Sequence, residues 1–302
     1  MRNILLFVIV LFSFAVNSFA QQTMDGNRIE SFFLSTGVFN RDPISVIEQG
    51  FEWPKGANVY AILSSGLTIA GRINGELKMS AASYNGEYAP GFCDNGNAST
   101  NSNFKLYKVS RGDNAGNNPD YANWGLMVPY GAPYVDVNTN GIFELGIDTP
   151  GVSGAKQTIF VCLTDGFPFS HNSMEGFGGG TAPLYSDLHM TAWCYDDTLL
   201  QDAQFIKWDI FNKSGSTWNG VLFSVFMDGD LGSKSDDWLG CDPSLNLGYT
   251  YNGDNDDGAG GRGTYGANPP AVGIRLLRTP KNNSGTEYGL TSFSLYNTSQ
   301  SV

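Results

Sequence analysis

The sequence predicts an all-β protein, an antiparallel β-sandwich with long Gly/Asn/Asp-rich loops. Short runs rich in β-branched and aromatic residues recur along the chain, and Gly, Asn, Asp or Pro bounds each of them. Residues 206–210 alternate apolar and polar side chains with a period of two, which is typical of a strand with one buried and one solvated face. Helical periodicity is nearly absent.

The runs predict strands in order along the chain. We expect them at residues 58–63, 67–73, 76–84, 104–109, 157–163, 188–195, 204–212, 218–227, 245–251, 272–277 and 288–296. Long polar stretches at residues 94–103, 111–123, 170–182 and 253–268 predict loops. Loops of this length are uncommon unless they are functional or held by a ligand.

The N-terminus has the features of a secretory signal peptide, residues 1–20. Arg2 supplies the positive charge, residues 4–16 form a short apolar core, and Ser18-Phe-Ala20 fits the cleavage rule. The apolar core is shorter than the roughly 20 residues that span a bilayer. We therefore expect cleavage near Ala20 and a product that is secreted or held at the cell surface, without membrane insertion.

The mature chain allows one large sandwich or two successive ones. A boundary near residue 150 would separate an N-terminal β region, residues 21–150, from a β-sandwich at residues 151–302. The alternative is one continuous sandwich in which calcium holds the crossover loop in place. A strand-like run stands directly before Ser301 and Val302. This ending is typical of a truncated protein, or of a short member of a group of longer proteins.

The chain is acidic. Removal of Arg2 with the signal peptide leaves 16 Lys and Arg against 29 Asp and Glu. Such a charge repels nucleic acid and anionic membranes, so neither is expected as a partner. A surface glycan or another protein remains the expected kind of partner.

Four cysteines, Cys93, Cys162, Cys194 and Cys241, would enter an oxidising compartment. Two disulfides with three possible connectivities are allowed. The pair Cys162–Cys194 is favoured because both lie in strand-like runs, and the alternative is that the thiols are simply buried.

Oxygen-bearing side chains recur at every second residue from Asp136, in the order Asp136, Asn138 and Asn140, followed by Gly141 and Glu144. This spacing predicts a Ca²⁺ loop, because calcium takes six to eight oxygen ligands and glycine permits the sharp turn. The carbonyl of Ile142 would occupy the seventh position. Ile147 stands where a bidentate Glu is expected, so Asp148 would have to replace it. The alternative is a polar turn that caps its own backbone.

A second acidic group follows the apolar run that ends at Met227. It comprises Asp228, Asp230, Asp236, Asp237 and Asp242. Carboxylates this close repel one another unless water or a cation neutralises them, so a second, weaker metal site and a solvated loop are both open. Asp254, Asp256 and Asp257 are expected in a mobile Gly-rich tip.

Several motifs occur in order and together carry a resemblance. They are Phe51-Glu-Trp-Pro-Lys-Gly56, Ser65-Gly-Leu-Thr-Ile-Ala-Gly71, Tyr88-Ala-Pro-Gly91, Asn118-Pro-Asp-Tyr-Ala-Asn-Trp124, the Asp136 loop, Asp228-Gly-Asp-Leu-Gly232 and Asp236-Asp-Trp-Leu-Gly-Cys-Asp242. The set resembles the N-terminal region of large, mostly uncharacterised secreted proteins of the Bacteroidetes group. The resemblance implies export and surface display, and no particular activity. The type IX sorting domain that usually ends those proteins is missing from this sequence.

Little in the sequence supports catalysis. It contains no G-x-S-x-G, HExxH or P-loop motif. Of its two histidines, His189 is expected in the core or on a sheet face, and His171 in an exposed loop. We therefore expect a calcium-stabilised structural, adhesive or binding module. The alternative is a carbohydrate-active module, with paired Asp residues or a stacking platform drawn from Trp124, Tyr130, Tyr134 and Trp238.

Overall fold

The computed structural model describes residues 20–44, 49–172, 175, 177–258 and 263–296. The predicted signal peptide lies outside this part of the chain, apart from Ala20. None of the described helices is long and apolar enough to cross a membrane.

The described residues form twenty strands and a few short helices. The strands are β1 Gln21–Met24, β2 Glu30–Leu34, β3 Val38–Phe39, β4 Phe51–Glu52, β5 Tyr60–Ile62, β6 Ser64–Ile73, β7 Glu76–Ser80, β8 Ala89–Pro90, β9 Phe92–Asp94, β10 Asn97–Ser99, β11 Tyr107–Ser110, β12 Tyr134–Val135, β13 Thr149–Pro150, β14 Gln157–Thr164, β15 Ser186–Cys194, β16 Gln204–Asn212, β17 Asn219–Asp228, β18 Asp237–Asp242, β19 Leu247–Asn252 and β20 Ala271–Arg275. The helices are α1 Pro119–Ala122 and the 3-10 turns Trp124–Leu126, Val128–Tyr130, Pro168–Ser170 and Pro243–Leu245.

Two antiparallel sheets form the sandwich, which confirms the predicted fold class. The first has the order β17-β6-β3-β2-β4-β5, with β1 beside β2 and β7 beside β6. The second has the order β11-β14-β15-β16, with β8 beside β14. Because β17 pairs with β6, and β14 pairs with β8 and β11, strands from both sides of residue 150 share each sheet.

The main core lies between the two sheets. Phe33, Leu67 and Ile69 of the first sheet are buried in it together with Val161 and Met190 of the second. Every residue of β14 is buried, because the strand also packs outward against a second core. That second core contains Trp124, Phe160 and Cys162 and is covered by the short helices around Trp124.

A third, smaller core joins the three-stranded sheet β18-β19-β20 to the edge of the first sheet. It is formed by Ala61, Ile62 and Leu231, with Met227 and Val272 packed against them. Four members of the second acidic group lie beside this junction, at the end of β17, in the following loop and at the start of β18: Asp228, Asp230, Asp236 and Asp237.

The expected strand at residues 288–296 is wrong. This stretch is irregular, and instead of pairing it lays Phe293 against Gly248 on the three-stranded sheet. The strands before residue 53 were not predicted. These strands are short and carry no clear local pattern in the sequence. They are recognised as strands because they pair with neighbouring strands in the sheet.

Candidate metal centres

The Asp136 loop, residues 136–148, connects β12 to β13, which pair as a two-stranded ribbon. Asp148 closes the loop at its base. Its carboxylate accepts the backbone N–H of Val137 at 2.9 Å and that of Glu144 at 2.8 Å, and the residue is almost completely buried. The strand pairing and this buried carboxylate therefore fix both ends of the loop.

The tip of the loop gathers the predicted oxygen ligands. Asp136 accepts the backbone N–H groups of Asn140 at 3.2 Å and Gly141 at 2.7 Å. The side-chain amides of Asn138 and Asn140 both donate to Oε2 of Glu144, at 2.7 and 2.6 Å. The two amides therefore converge on one carboxylate oxygen. Rotating each amide by half a turn would present its oxygen instead of its nitrogen.

The other two predicted ligands of this loop differ in their placement. Ile142 is bound through its N–H to Oδ1 of Asn140, and its side chain is mostly exposed, so only its carbonyl is available as a ligand. Asp148 braces the base of the loop through both carboxylate oxygens. These hydrogen bonds also describe a turn that caps its own backbone, so calcium at this loop stays a prediction.

The chemistry of the Asp136 loop is that of a hard-cation site, because all its candidate donors are oxygens. Within the described ranges, no three His, Cys, Asp or Glu side chains stand close enough to hold a metal ion. Amide and backbone oxygens would have to complete any coordination shell here. Such a shell carries little charge, which suits modest affinity.

The structure divides the second acidic group. Asp242 lies at the far end of β18, where its carboxylate accepts the backbone N–H of Ser244 at 2.9 Å and caps the following 3-10 turn. Asp228 accepts the hydroxyl of Tyr84 at 2.7 Å. The fold does not bring Asp242 to the other members of the group.

Asp257 joins the group, although it was expected in a mobile tip. Its side chain is completely buried and accepts the backbone N–H groups of Ser233, at 2.8 Å, and Tyr265. Gly232 makes room for this carboxylate, because a Cβ there would lie 1.9 Å from Oδ2 of Asp257. The expected mobility is therefore wrong for Asp257.

The charges around Asp237 are poorly compensated. Burial raises the pKa of the Asp237 carboxyl to about 7, and the charges of Asp230 and Asp257 act in the same direction. Oδ1 of Asp237, Oδ1 of Asp236 and the hydroxyl of Thr250 are buried without a hydrogen-bond partner. A cation or ordered water would satisfy them, so a weaker second metal site stays a prediction.

A third polar group was not predicted, and it lies between the main sheets and the loop after β14. The His171 side chain, expected to be exposed, is only 2 % exposed. Its Nε2 lies 2.8 Å from the backbone oxygen of Asp165, and its Nδ1 lies 3.7 Å from Oε2 of Glu87. Burial alone would lower the pKa of His171, but its contacts with Asp165 and the charge of Glu87 raise it above 6.5.

Glu175 belongs to the same region and organises the turn after Ala82. Its carboxylate accepts the backbone N–H groups of Ser83, Tyr84, Asn85 and Gly86. Like Glu87 and Asp165 it is almost completely buried. These carboxylates are satisfied by hydrogen bonds from the protein itself, so we assign them a structural role.

The favoured disulfide Cys162–Cys194 is wrong. In the β14–β15 ladder Cys162 lies opposite His189, and Cys194 lies opposite Gln157. The offset from His189 to Cys194 corresponds to about 17 Å along the strand, well beyond the roughly 7 Å limit for a bridge. All four cysteines are free thiols, and three of them are buried.

His189 and the aromatic candidates have defined places. His189 lies on the outer face of β15, with its ring 4.7 Å from that of Phe211, and burial lowers its pKa to about 4. Trp124 is completely buried, so it belongs to the core. The rings of Tyr130 and Tyr134 are half-buried.

Trp238 alone of the four aromatic candidates is largely exposed, at 62 %. It stands opposite the partly exposed Tyr251 in the β18–β19 ladder, and the ring of Tyr249 lies 5.8 Å from that of Tyr251. The result is a row of aromatic side chains on one face of the small sheet.

A shallow pocket of 310 Å³ borders the Asp136 loop. It is lined by Ala122, Asn123, Gly125, Leu126, Phe143 and Leu145. None of these side chains can act as a general acid or base, so this pocket offers no pair of catalytic carboxylates.

Comparison with known proteins found no matching protein family, no matching curated protein and no matching solved structure.

Proposed function

We propose that this chain is a secreted, calcium-stabilised β-sandwich that acts without catalysis as a structural, adhesive or binding module outside the cell or at its surface. Calcium at the Asp136 loop would have a structural role. It would crosslink a loop tip that has few apolar residues to order it.

The observation that carries this proposal is the arrangement around Glu144. Two Asn side chains converge on one of its carboxylate oxygens, while Asp136 holds the backbone of the same turn. The base of the loop is already fixed by strand pairing and by Asp148. Calcium binding would then order few additional residues, which lowers its entropic cost.

The proposed location outside the cell or at its surface rests on the sequence. The signal-peptide features of residues 1–20 and the ordered motifs that resemble secreted Bacteroidetes proteins both support export. The acidic surface agrees with a protein that works in millimolar calcium and binds neither nucleic acid nor anionic membrane.

Thermal unfolding with and without calcium tests the proposal. We expect the midpoint of the mature chain to fall in EDTA and to recover in millimolar CaCl₂, with a smaller effect of MgCl₂, because Mg²⁺ demands a tight octahedral shell. Extracellular calcium sites have dissociation constants of up to about 1 mM. If the thermal midpoint is the same in EDTA and in about 10 mM CaCl₂, that result would falsify the calcium role.

A carbohydrate-binding module is the second candidate function. The row of Trp238, Tyr251 and Tyr249, in which Trp238 and Tyr251 are exposed, favours it, because aromatic rings stack on the apolar faces of sugars. Retardation of the protein in native gels that contain soluble polysaccharides would support this candidate over a purely structural module.

A further inference from the structure

Strand β16 forms one edge of the second sheet. All nine of its residues pair with β15 in an uninterrupted antiparallel ladder, from Cys194 opposite Gln204 to Ser186 opposite Asn212. No other strand in the described part of the chain pairs with β16. The backbone N–H and C=O groups of β16 that point away from β15 are therefore available to a further strand.

This edge lacks the usual protection against strand pairing. The run Gln204-Phe-Ile-Lys-Trp-Asp-Ile-Phe-Asn212 contains no proline or glycine, and its register shows no bulge. Its one lysine, Lys207, is neutralised by Asp209, whose carboxylate lies 2.7 Å from the ammonium group. The apolar residues Ile206 and Trp208 pack against the main core but remain only partly buried.

The strand is also a chemical palindrome centred on Trp208. Reading outward in both directions, Lys207 corresponds to Asp209, Ile206 to Ile210, Phe205 to Phe211 and Gln204 to Asn212. Every pair combines either like apolar residues, like amides or opposite charges. A strand with this property is complementary to an antiparallel copy of itself.

We propose that two copies of this chain associate through β16, antiparallel and about a two-fold axis at Trp208, so that the second sheet continues from one copy into the other. In this register Lys207 of each copy stands opposite Asp209 of the other, which gives two complementary charge pairs on the outer face. Ile206 meets Ile210 on the core-facing side. A two-fold interface requires this reciprocity. If Lys207 of the first copy contacts Asp209 of the second, then Asp209 of the first copy contacts Lys207 of the second.

Strand β17, at one edge of the first sheet, fits the same arrangement. Strand β17 follows β16 in the chain and pairs only with β6 among the described strands. Leu222 of β17 is 68 % exposed, and Phe223 is also exposed. Both layers of the sandwich therefore present an open edge at consecutive strands, and a second copy would cover apolar surface beside β16.

Charge reversal tests the interface directly. Sedimentation of the mature chain should show a concentration-dependent dimer. Lys207→Asp and Asp209→Lys each place like charges opposite one another across the axis, and each should weaken the dimer at least about tenfold. Because both side chains are substantially exposed, the variants should keep the thermal midpoint of a folded monomer.

Mixing the two variants separates pairing between copies from pairing within one copy. Each variant alone carries two like charges on its own strand, so its internal pair stays broken in the mixture. Across the proposed axis, however, the mixture places the two carboxylates of the K207D strand opposite the two ammonium groups of the D209K strand. The mixture should therefore recover dimer. Lys281→Asp, a matched control at an exposed lysine in the segment after β20, should leave dimerisation unchanged.

Three results would overturn the proposal. These are a wild-type chain that stays monomeric at high concentration, a dimer that K207D does not weaken, and a mixture of the two variants that stays monomeric. The second result would place any dimer interface on another surface.

Discussion

The side-chain amide of Asn140 donates to Oε2 of Glu144 across 2.6 Å. This contact brings together two of the residues that the spacing from Asp136 marks as calcium ligands. The same oxygen accepts the amide of Asn138. The loop's own hydrogen bonds therefore gather these side chains around Glu144. The amide oxygens of Asn138 and Asn140 accept the backbone N–H groups of Asn140 and Ile142, so a cation would replace those bonds when it turns the two oxygens inward.

Asp136→Ala should make the protein less stable and reduce its calcium response. With a dissociation constant of about 0.1–1 mM, calcium at about 10 mM stabilises the wild type by about 1.4–2.7 kcal/mol. The variant loses a carboxylate ligand, so its thermal midpoint should rise less on going from EDTA to calcium than that of the wild type. Differential scanning calorimetry in both buffers measures the difference.

Asp197→Ala is the matched control for this variant. Asp197 is also a surface carboxylate that caps two backbone N–H groups, those of Leu199 and Leu200. Its removal should lower the midpoint slightly and equally in both buffers. If Asp136→Ala behaves in the same way and keeps the full calcium response, the loop is an ordinary capped turn.

Asp148→Ala should destabilise the protein whether or not calcium is present. The substitution leaves the backbone N–H groups of Val137 and Glu144 without their acceptor at the buried base of the loop. A fully buried donor left unsatisfied costs about 1–3 kcal/mol, and these donors are part-buried, so each should cost less than that. Urea unfolding in EDTA measures this loss. An unchanged free energy of unfolding would show that the base of the loop does not depend on Asp148.

The sequence predicts best where one strand carries its own pattern. Residues 206–210 alternate in polarity within the predicted strand 204–212, and β16 has those bounds. Residues 288–296 are equally aromatic, but Gly289 adopts a positive φ and no described strand pairs with them. Local composition reports that a segment is suited to a strand, whereas pairing depends on which edge the rest of the fold leaves open.

The buried polar residues that the sequence missed depend on partners from other segments of the chain. Asp257 is buried because Gly232 leaves space for its carboxylate, and these residues lie in different segments. His171 is buried because Asp165 and Glu87 stand on either side of it. In each case the only local signal is an ordinary Asp or His in a polar stretch. The Asp136 loop was predictable because all of its candidate ligands fall within one short run.

Protonation of His171 should stabilise the fold. Its pKa in the folded protein is raised above 6.5 by Asp165 and Glu87, which outweigh burial. The contribution is therefore fully present below about pH 6.5 and is lost as the pH rises through the raised value. We expect the free energy of unfolding in EDTA to decline over that window.

His171→Gln should flatten this part of the stability profile, because glutamine keeps a hydrogen bond but does not titrate. Urea unfolding between about pH 6 and pH 9, in about half-unit steps, compares the two slopes. Asp165 contributes in the opposite direction. Its burial would raise its pKa, but His171 and Ser80 lower it below 3.8, so its stabilisation is lost in acid. A His171→Gln profile as steep as that of the wild type would place the titrating group elsewhere.

Asp237→Asn should have opposite effects in EDTA and in calcium. Because burial raises the pKa of Asp237 to about 7, its ionised form destabilises the calcium-free fold, and that cost grows as the pH rises from about 4 through 7. The amide removes this charge and should stabilise the protein at about pH 8 in EDTA by on the order of 1 kcal/mol after allowance for solvent screening.

In calcium the same variant would lose a ligand of the proposed second site. The gain on adding calcium should then be smaller than in the wild type, as measured by the shift in thermal midpoint. Asp242→Asn is the control, because Asp242 lies at the other end of β18 and caps a helix. An equal calcium response in wild type and Asp237→Asn would restrict metal binding to the Asp136 loop.

Trp238→Ala separates the two candidate functions. The ring is 62 % exposed, so its loss should change the free energy of unfolding by no more than about 0.5 kcal/mol. A sugar stacked on the row Trp238, Tyr251 and Tyr249 would lose its most exposed ring face. If the chain binds a glycan here, the variant should migrate freely in polysaccharide gels that retard the wild type. Phe169→Ala removes an even more exposed ring, outside this sheet, and should leave the retardation unchanged. Equal mobility of wild type and Trp238→Ala in every gel would leave the aromatic row without a role in sugar binding.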